Sequence, residues 1–250
     1  MIHYHGTPIA SGKVAKAAIE GGHAFVSFAA PQQLHLATEL CQTFAVDNGA
    51  FSAWSSGNPV EDWTPYYEWV AEVSKFPNFD WAIIPDVIDG TEEDNDRLIN
   101  ECPLPKEIAV PVWHMHESLD RLKRLCENHH RVCLGSSGEY SSVGTKVWKK
   151  RMGEALDFVC DEDGFPPCKF HGLRMLNPKI FSKMPLHSAD STTVGRNVGI
   201  DKQWGTGRLQ PRNKDVRALV LKDRIESFNA ASRWLGWDNV EDDIFAEDEA

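Results

Sequence analysis

Eight short apolar runs of β-rich composition recur along this chain, at 2–6, 23–28, 43–47, 81–87, 108–114, 131–135, 169–175 and 186–190. Segments with helical signals lie between them. Val14, Ala17, Ala18 and Glu20 precede Gly21-Gly22, a plausible helix C-cap. Thr91 to Asp94 resembles a capping box before a helix reaching about Glu101. Leu119, Leu122, Leu125 and Cys126 make one helical stripe, and 147–158 is a further helical candidate. From Lys214 to Trp237, Ala218, Leu221, Ile225, Phe228, Ala231 and Leu235 recur at three- and four-residue steps, predicting a long amphipathic final helix. Strands alternating with helices predict parallel βαβ units. In a chain of 250 residues the economical solution is a single α/β domain, a (β/α)8 TIM-like barrel over 1–237. A doubly wound open sheet is the alternative. No GxGxxG or GxxxxGK[ST] motif follows a strand, which lowers the nucleotide-cofactor versions of that fold.

Charge and cysteine usage narrow the function classes. The chain carries 37 acidic and 26 basic residues, a net −11, which argues against a basic nucleic-acid coat protein. Seven of the acidic residues fall in the tail from Asp238 to Ala250, which reads as disordered; the rest of the chain therefore sums to −4. Between Lys202 and Arg224, seven basic residues face two acidic ones. The six cysteines show no paired spacing and read as reduced thiols of a cytoplasmic protein. No apolar run approaches the ~18 residues of a membrane span, and the N-terminus does not resemble a secretory signal.

In a barrel the active site lies where the strands end. Those ends carry His5, Asp47-Asn48, Asp86, His114, the loop 135–139, Met175 and Asp190. One strand-end carboxylate is as readily a helix cap. Three of them, Asp47, Asp86 and Asp190, converging on one rim point to catalysis. His3-x-His5 and His114-x-His116 each place two imidazoles on one strand face, but neither has a third ligand, so no metal is expected. Trp54, Trp63, Trp69 and Trp81 read as core residues. Trp204, in a loop beside basic residues, reads as core or as a base-stacking ring.

The motifs AVDNGAFSAW (45–54), IIPDVIDG (83–90), LGSSGEY (134–140), HGLRML (171–176) and SADSTT (188–193), in this order, resemble the tRNA-guanine transglycosylase superfamily. They are most similar, with the opening YHGTPI, to its phage and bacterial branch, which inserts 7-deazaguanines into DNA. The resemblance implies a barrel that exchanges guanine for a 7-deazaguanine through a covalent glycosyl–enzyme intermediate. Asp190 matches the nucleophile, and a carboxylate suits attack on an oxocarbenium-like centre. Asp47 matches the aspartate that moves protons to and from the bases. Asp86 matches the carboxylate that reads the guanine edge. The loop of Gly135, Ser136 and Gly138 would offer backbone N–H groups to the base, and Met175 would pack on its face. His114 falls at a polar base contact, while His5, Asn48 and Phe51 are expected to line the pocket.

Two departures bear on the polymer. The Cys-rich zinc site of the tRNA enzymes has no counterpart after Asp190, so no zinc or other cofactor is expected. The stretch 196–213 is instead rich in Gly and Arg, and Lys202, Arg208, Arg212 and Lys214 are candidate phosphate contacts. The expected function is therefore base exchange in DNA, with tRNA less favoured and a free 7-deazaguanine such as preQ0 as co-substrate. The alternatives are a DNA glycosylase that leaves an abasic site, an inactive nucleic-acid-binding barrel, and a metal-dependent hydrolase.

Overall fold

The structure is a computed structural model and describes residues 1–9, 11–199 and 211–237. Nine strands form one parallel sheet: β1 (Ile2–Thr7), β2 (His23–Ser27), β3 (Thr43–Asp47), β4 (Phe79–Ile83), β5 (Ala109–Val110), β6 (Val112–His114), β7 (Arg131–Gly135), β8 (Lys169–Gly172) and β9 (Ser188–Ser191). Their order, β5-β4-β3-β2-β1-β9-β8-β7-β6, ends on two consecutive pieces of chain. Only Pro111 separates them. Proline has no N–H for a ladder, so it breaks the strand into two short segments. Ala109 and Val110 pair with β4, and Val112 to His114 pair with β7. The Pro111 carbonyl still accepts from the Cys133 amide at 2.9 Å. One interrupted strand thus serves both neighbours, and the sheet curls into the expected TIM-like barrel of eight strand positions.

Helices cover the outside: α1 (Gly12–Ile19), α2 (Leu34–Leu40), α3 (Ala50–Ser55), α4 (Thr64–Val73), α5 (Glu92–Glu101), α6 (Leu119–Asn128), α7 (Lys146–Val159), α8 (Pro178–Phe181), α9 (Thr193–Asn197) and α10 (Lys214–Glu226). The capping box at α5 forms as its sequence predicts. Thr91 Oγ1 accepts from the Asp94 amide, and the Asp94 carboxylate accepts from the Thr91 amide. The α6 stripe buries Leu122, Leu125 and Cys126.

The final helix stops earlier than its periodicity predicts. Ala218, Leu221 and Ile225 are buried along α10, but the helix ends at Glu226. Beyond it the chain has tertiary partners that a continued helix could not reach. The Phe228 carbonyl accepts from His3 Nε2 at 2.9 Å, Trp234 Nε1 donates to Asp157 at 2.6 Å, and Trp237 Nε1 donates to the Lys149 carbonyl at 2.7 Å. Two tryptophans are thereby laid across α7.

Two apolar layers result. The larger lies between barrel and helices. The smaller fills the barrel itself, with Tyr4, Phe25, Ala45, Trp81, Ile83, Val110, Val112 and Cys133. Alternate strand positions supply it, as the two-residue side-chain period requires. At the N-terminal end of the barrel Tyr4 Oη donates to Asp80 at 2.5 Å, and the Arg131 guanidinium lies 5.0 Å from the Trp81 ring. The interior is therefore packed from below, and the strand-end carboxylates lie at the opposite, C-terminal mouth. Trp63 and Trp81 are buried as expected, whereas Trp54 is 41% exposed on α3, because that helix is a short rim element with no layer outside it. No helix among the described residues is long and apolar enough to cross a membrane.

Replacing Trp81 with Ala should remove the largest ring of the inner layer and leave a void bounded by Tyr4, Phe25 and His171. A loss of about 3–5 kcal/mol is expected, read as a lower urea midpoint. An unchanged midpoint would mean that the inner layer does not hold the barrel.

Candidate active site

The strand ends build the mouth. Asp190 sits on β9 and is 7% exposed. Its Oδ1 accepts from the Arg174 amide at 2.9 Å and lies 3.4 Å from His171 Nε2. His171 on β8 is fully buried, and its Nδ1 is 2.8 Å from Ser188 Oγ. Burial lowers its proton affinity, so a neutral imidazole stands beside the carboxylate. Among the described residues, Asp190 Oδ2 has no hydrogen-bond partner. One oxygen is thus anchored and the other is free.

The anchor has an unusual backbone. Arg174 has φ 59°, the one positive φ at a non-glycine residue among those described. A left-handed conformation costs an L-residue ~1–2 kcal/mol, so the surrounding structure must enforce it. Here it turns the amide onto Asp190.

Asp47 ends β3, and its Oδ2 accepts from Ser27 Oγ at 3.1 Å. Its pKa is pushed up to about 7, first by loss of solvation and then by the charges of Asp190 and Asp86. The hydrogen bonds from Ser27 and the Gly49 amide oppose that rise without cancelling it. Gly49 has φ 80°, and a Cβ there would lie 2.9 Å from the Ala29 Cβ. Glycine therefore makes the tight turn that starts α3 directly after Asp47.

Asp86 follows β4, and both of its oxygens are engaged. Asn48 Nδ2 donates to Oδ1 at 2.7 Å, and His114 Nε2 donates to Oδ2 at 2.8 Å. The Asn48 amide is itself fixed, because its Oδ1 accepts from the Ala50 amide at 2.7 Å. Asn48 therefore acts on Asp86 from within the turn after Asp47. His114 fits because its neighbour on β7 is Gly135, where a Cβ would come within 3.2 Å of His114 Nδ1.

A buried polar network stands behind this pair. Glu117 Oε2 accepts from the His114 amide at 2.8 Å and from Arg121 Nη1 at 2.6 Å. Its Oε1 accepts from Asn95 Nδ2 at 2.9 Å, and Asn95 Oδ1 accepts from the Val87 amide at 2.8 Å. The loops that carry Asp86 and His114 are thus tied together from below. Sequence reading gave no site role to Asn95, Glu117, Arg121, His171 or Arg174. The one signal for Arg121 was a charge beside the buried face of α6, and HGLRML already contained His171 and Arg174.

The remaining expected residues divide. Ser136 joins the site through its backbone: its carbonyl accepts from Arg174 Nη2 at 3.1 Å, while its hydroxyl accepts from Trp148 Nε1 at 2.8 Å. Gly138, with φ 55°, opens the next turn. Phe51 is 42% exposed on α3, under the Arg174 guanidinium at 4.4 Å. His5 is not brought to the mouth. It points outward from β1, with Nε2 donating to Glu226 on α10 at 3.0 Å, because odd positions of that strand face the helices. Met175 is fully buried in the layer between barrel and helices, since the turn at Arg174 directs it there. Arg212 and Lys214 are exposed at the start of α10, whose Arg217 bonds the Val198 carbonyl next to α9. Lys202, Arg208, Trp204 and the acidic tail lie outside the described residues. Among the described residues, no group of three or more His, Cys, Asp or Glu is placed to hold a metal. No protein-family model matches the chain, and no curated protein matches it.

The raised Asp47 pKa has a stability consequence. Its carboxyl ionises near pH 4 in an unfolded chain but only at about 7 in the fold, so the fold loses stability as pH rises between those values. Asp47→Asn should therefore be more stable than the wild type at about pH 8, by on the order of a few kcal/mol, and equal to it at about pH 4. Urea unfolding at both values checks this; equal stability at both would contradict the strained carboxyl.

Proposed function

We propose that the protein breaks the N-glycosidic bond of a nucleotide in nucleic acid by covalent catalysis at Asp190, and that it exchanges guanine for a 7-deazaguanine in DNA. The observation that carries the reading is the division of labour between two carboxylates at one mouth. Asp190 offers a free oxygen, while Asp47, beside its charge, holds a proton near neutral pH. A carboxyl whose proton affinity is raised to near neutral suits the acid–base role, and a carboxylate with an unoccupied oxygen suits the nucleophile.

Asp190 Oδ2 attacks C1′ of the sugar, and the bond from C1′ to the base nitrogen breaks. Protonated Asp47 gives its proton to the departing base, leaving a glycosyl ester on Asp190 and a carboxylate on Asp47. An incoming 7-deazaguanine then gives its ring N–H proton to Asp47, and the freed nitrogen attacks C1′. The ester bond breaks and Asp190 is restored. The Arg174 amide keeps Oδ1 in place throughout.

Asp86 presents acceptor oxygens to the Watson–Crick edge of a guanine-like base. A carboxylate has about four lone-pair directions, and Asn48 and His114 occupy two of them. The identity of the bases and the choice of DNA rest on the motif resemblance and on the basic residues that follow Asp190 in sequence.

Incubation with DNA, and separately with tRNA, with and without a 7-deazaguanine, followed by nucleoside mass spectrometry, tests the reading. The wild type should place the deazaguanine in DNA, and Asp190→Asn should place none while still binding DNA. Full activity in that variant would remove the covalent mechanism. Release of free base with abasic sites and no incorporation would replace base exchange with base excision. Asp86→Ala should relax the choice of base more than it weakens DNA binding, measured by competing bases in the same assay. An unchanged preference would mean that Asp86 does not read the base.

A further inference from the structure

The chemistry above uses the backbone of Arg174 and leaves its side chain free. A φ of 59° favours glycine, yet an arginine occupies the position. The residue is exposed, and among the described residues its guanidinium makes one hydrogen bond, from Nη2 to the Ser136 carbonyl. The other donors of the fork have no partner there. The same guanidinium covers the Phe51 ring at 4.4 Å. One turn further along α3, Trp54 is 41% exposed, with its ring 5.8 Å from that of Phe51. Arg196 on α9, also exposed and without a partner among the described residues, adds a positive charge that Arg174 senses.

We propose that Arg174 and Trp54 seat the nucleotide flanking the reacting one in an unpaired or extruded strand, the guanidinium holding its phosphate and the indole stacking on its base. Phe51 supports the guanidinium from beneath, which leaves Trp54 as the open ring of the ledge. An exposed aromatic beside an unsatisfied guanidinium matches the two recognition elements of a single strand, a π-face and a phosphate. The seat rests on the reading of the mouth as a base-processing site, and it adds a physical link. The residue that captures the phosphate is the one whose amide holds Asp190 Oδ1. Engagement of the strand thereby steadies the nucleophile, which favours a polymer over a free nucleoside.

Two variants separate the parts. Arg174→Gly keeps the amide on Asp190, accepts the left-handed backbone and removes only the guanidinium. Trp54→Ala removes only the ring. Binding of a short fluorescein-labelled single-stranded DNA is followed by anisotropy across a salt series, with no chemical step required. Arg174→Gly should bind more weakly, and its slope of log affinity against log salt should be shallower by ~0.7, the value for one phosphate contact on a single strand. Trp54→Ala should lose about fivefold or more in affinity with the slope unchanged. Wild-type affinity and slope in both variants would overturn the seat, as would a wild type that does not bind the strand. A wild type that binds as expected but releases no base would leave the seat standing and remove the glycosidic chemistry.

Discussion

Burial of three carboxylates together at the mouth of the barrel, which costs solvation first and adds their mutual repulsion, is the constraint to which the rest of this structure answers. Asp47, Asp86 and Asp190 come from three different strand ends, and the packed barrel interior below them excludes the water that would screen their charges. The fold meets the repulsion differently at each. Asp86 receives two side-chain donors, Asn48 and His114. Asp190 receives a backbone amide and stands against a neutral histidine. Asp47 has Ser27 and the Gly49 amide, which are too weak to offset burial, and it answers by holding its proton more tightly. Three chemically identical side chains thereby receive different partners, and Asp47 alone is shown to hold its proton more tightly, the property the proposed acid–base role uses.

Such an arrangement persists only if its support is rigid. The support here is covered and polar. Glu117 ties the His114 loop to Arg121 and, through Asn95, to the loop of Asp86. Removing one member would leave a buried charge without its partner, a loss far larger than the net value of the intact pair. The left-handed backbone at Arg174 belongs to the same logic, because local strain is held where it aims a backbone donor at Asp190.

The barrel was legible in the sequence because short β-rich apolar runs alternate with helical stretches along the chain, and each run became a strand. Pro111 splits the fifth strand without disturbing that rhythm, since Val110, Val112 and His114 keep to alternate positions. The strand-end carboxylates were legible because chain direction alone places them at one rim. What escaped was direction within a turn and partnership at a distance. Met175 and Arg174 are neighbours in sequence, but one left-handed residue sends the first into the core and the second to the mouth. His5 belongs to β1, yet its parity turns it to Glu226, more than two hundred residues away. The final helix looked longer than it is because Phe228, Ala231 and Leu235 continue its three- and four-residue steps, whereas the chain there is held to α7 by Trp234 and Trp237.

The most direct measurement is of the intermediate itself. The wild-type protein would be mixed with single-stranded DNA in the absence of any incoming base, quenched in denaturant and digested, and the peptides analysed by mass spectrometry. A nucleotide ester on the peptide containing Asp190, absent when DNA is omitted, is the predicted result. Base release without a protein adduct at any quench time, or an adduct mapped to a different residue, would contradict covalent catalysis at Asp190.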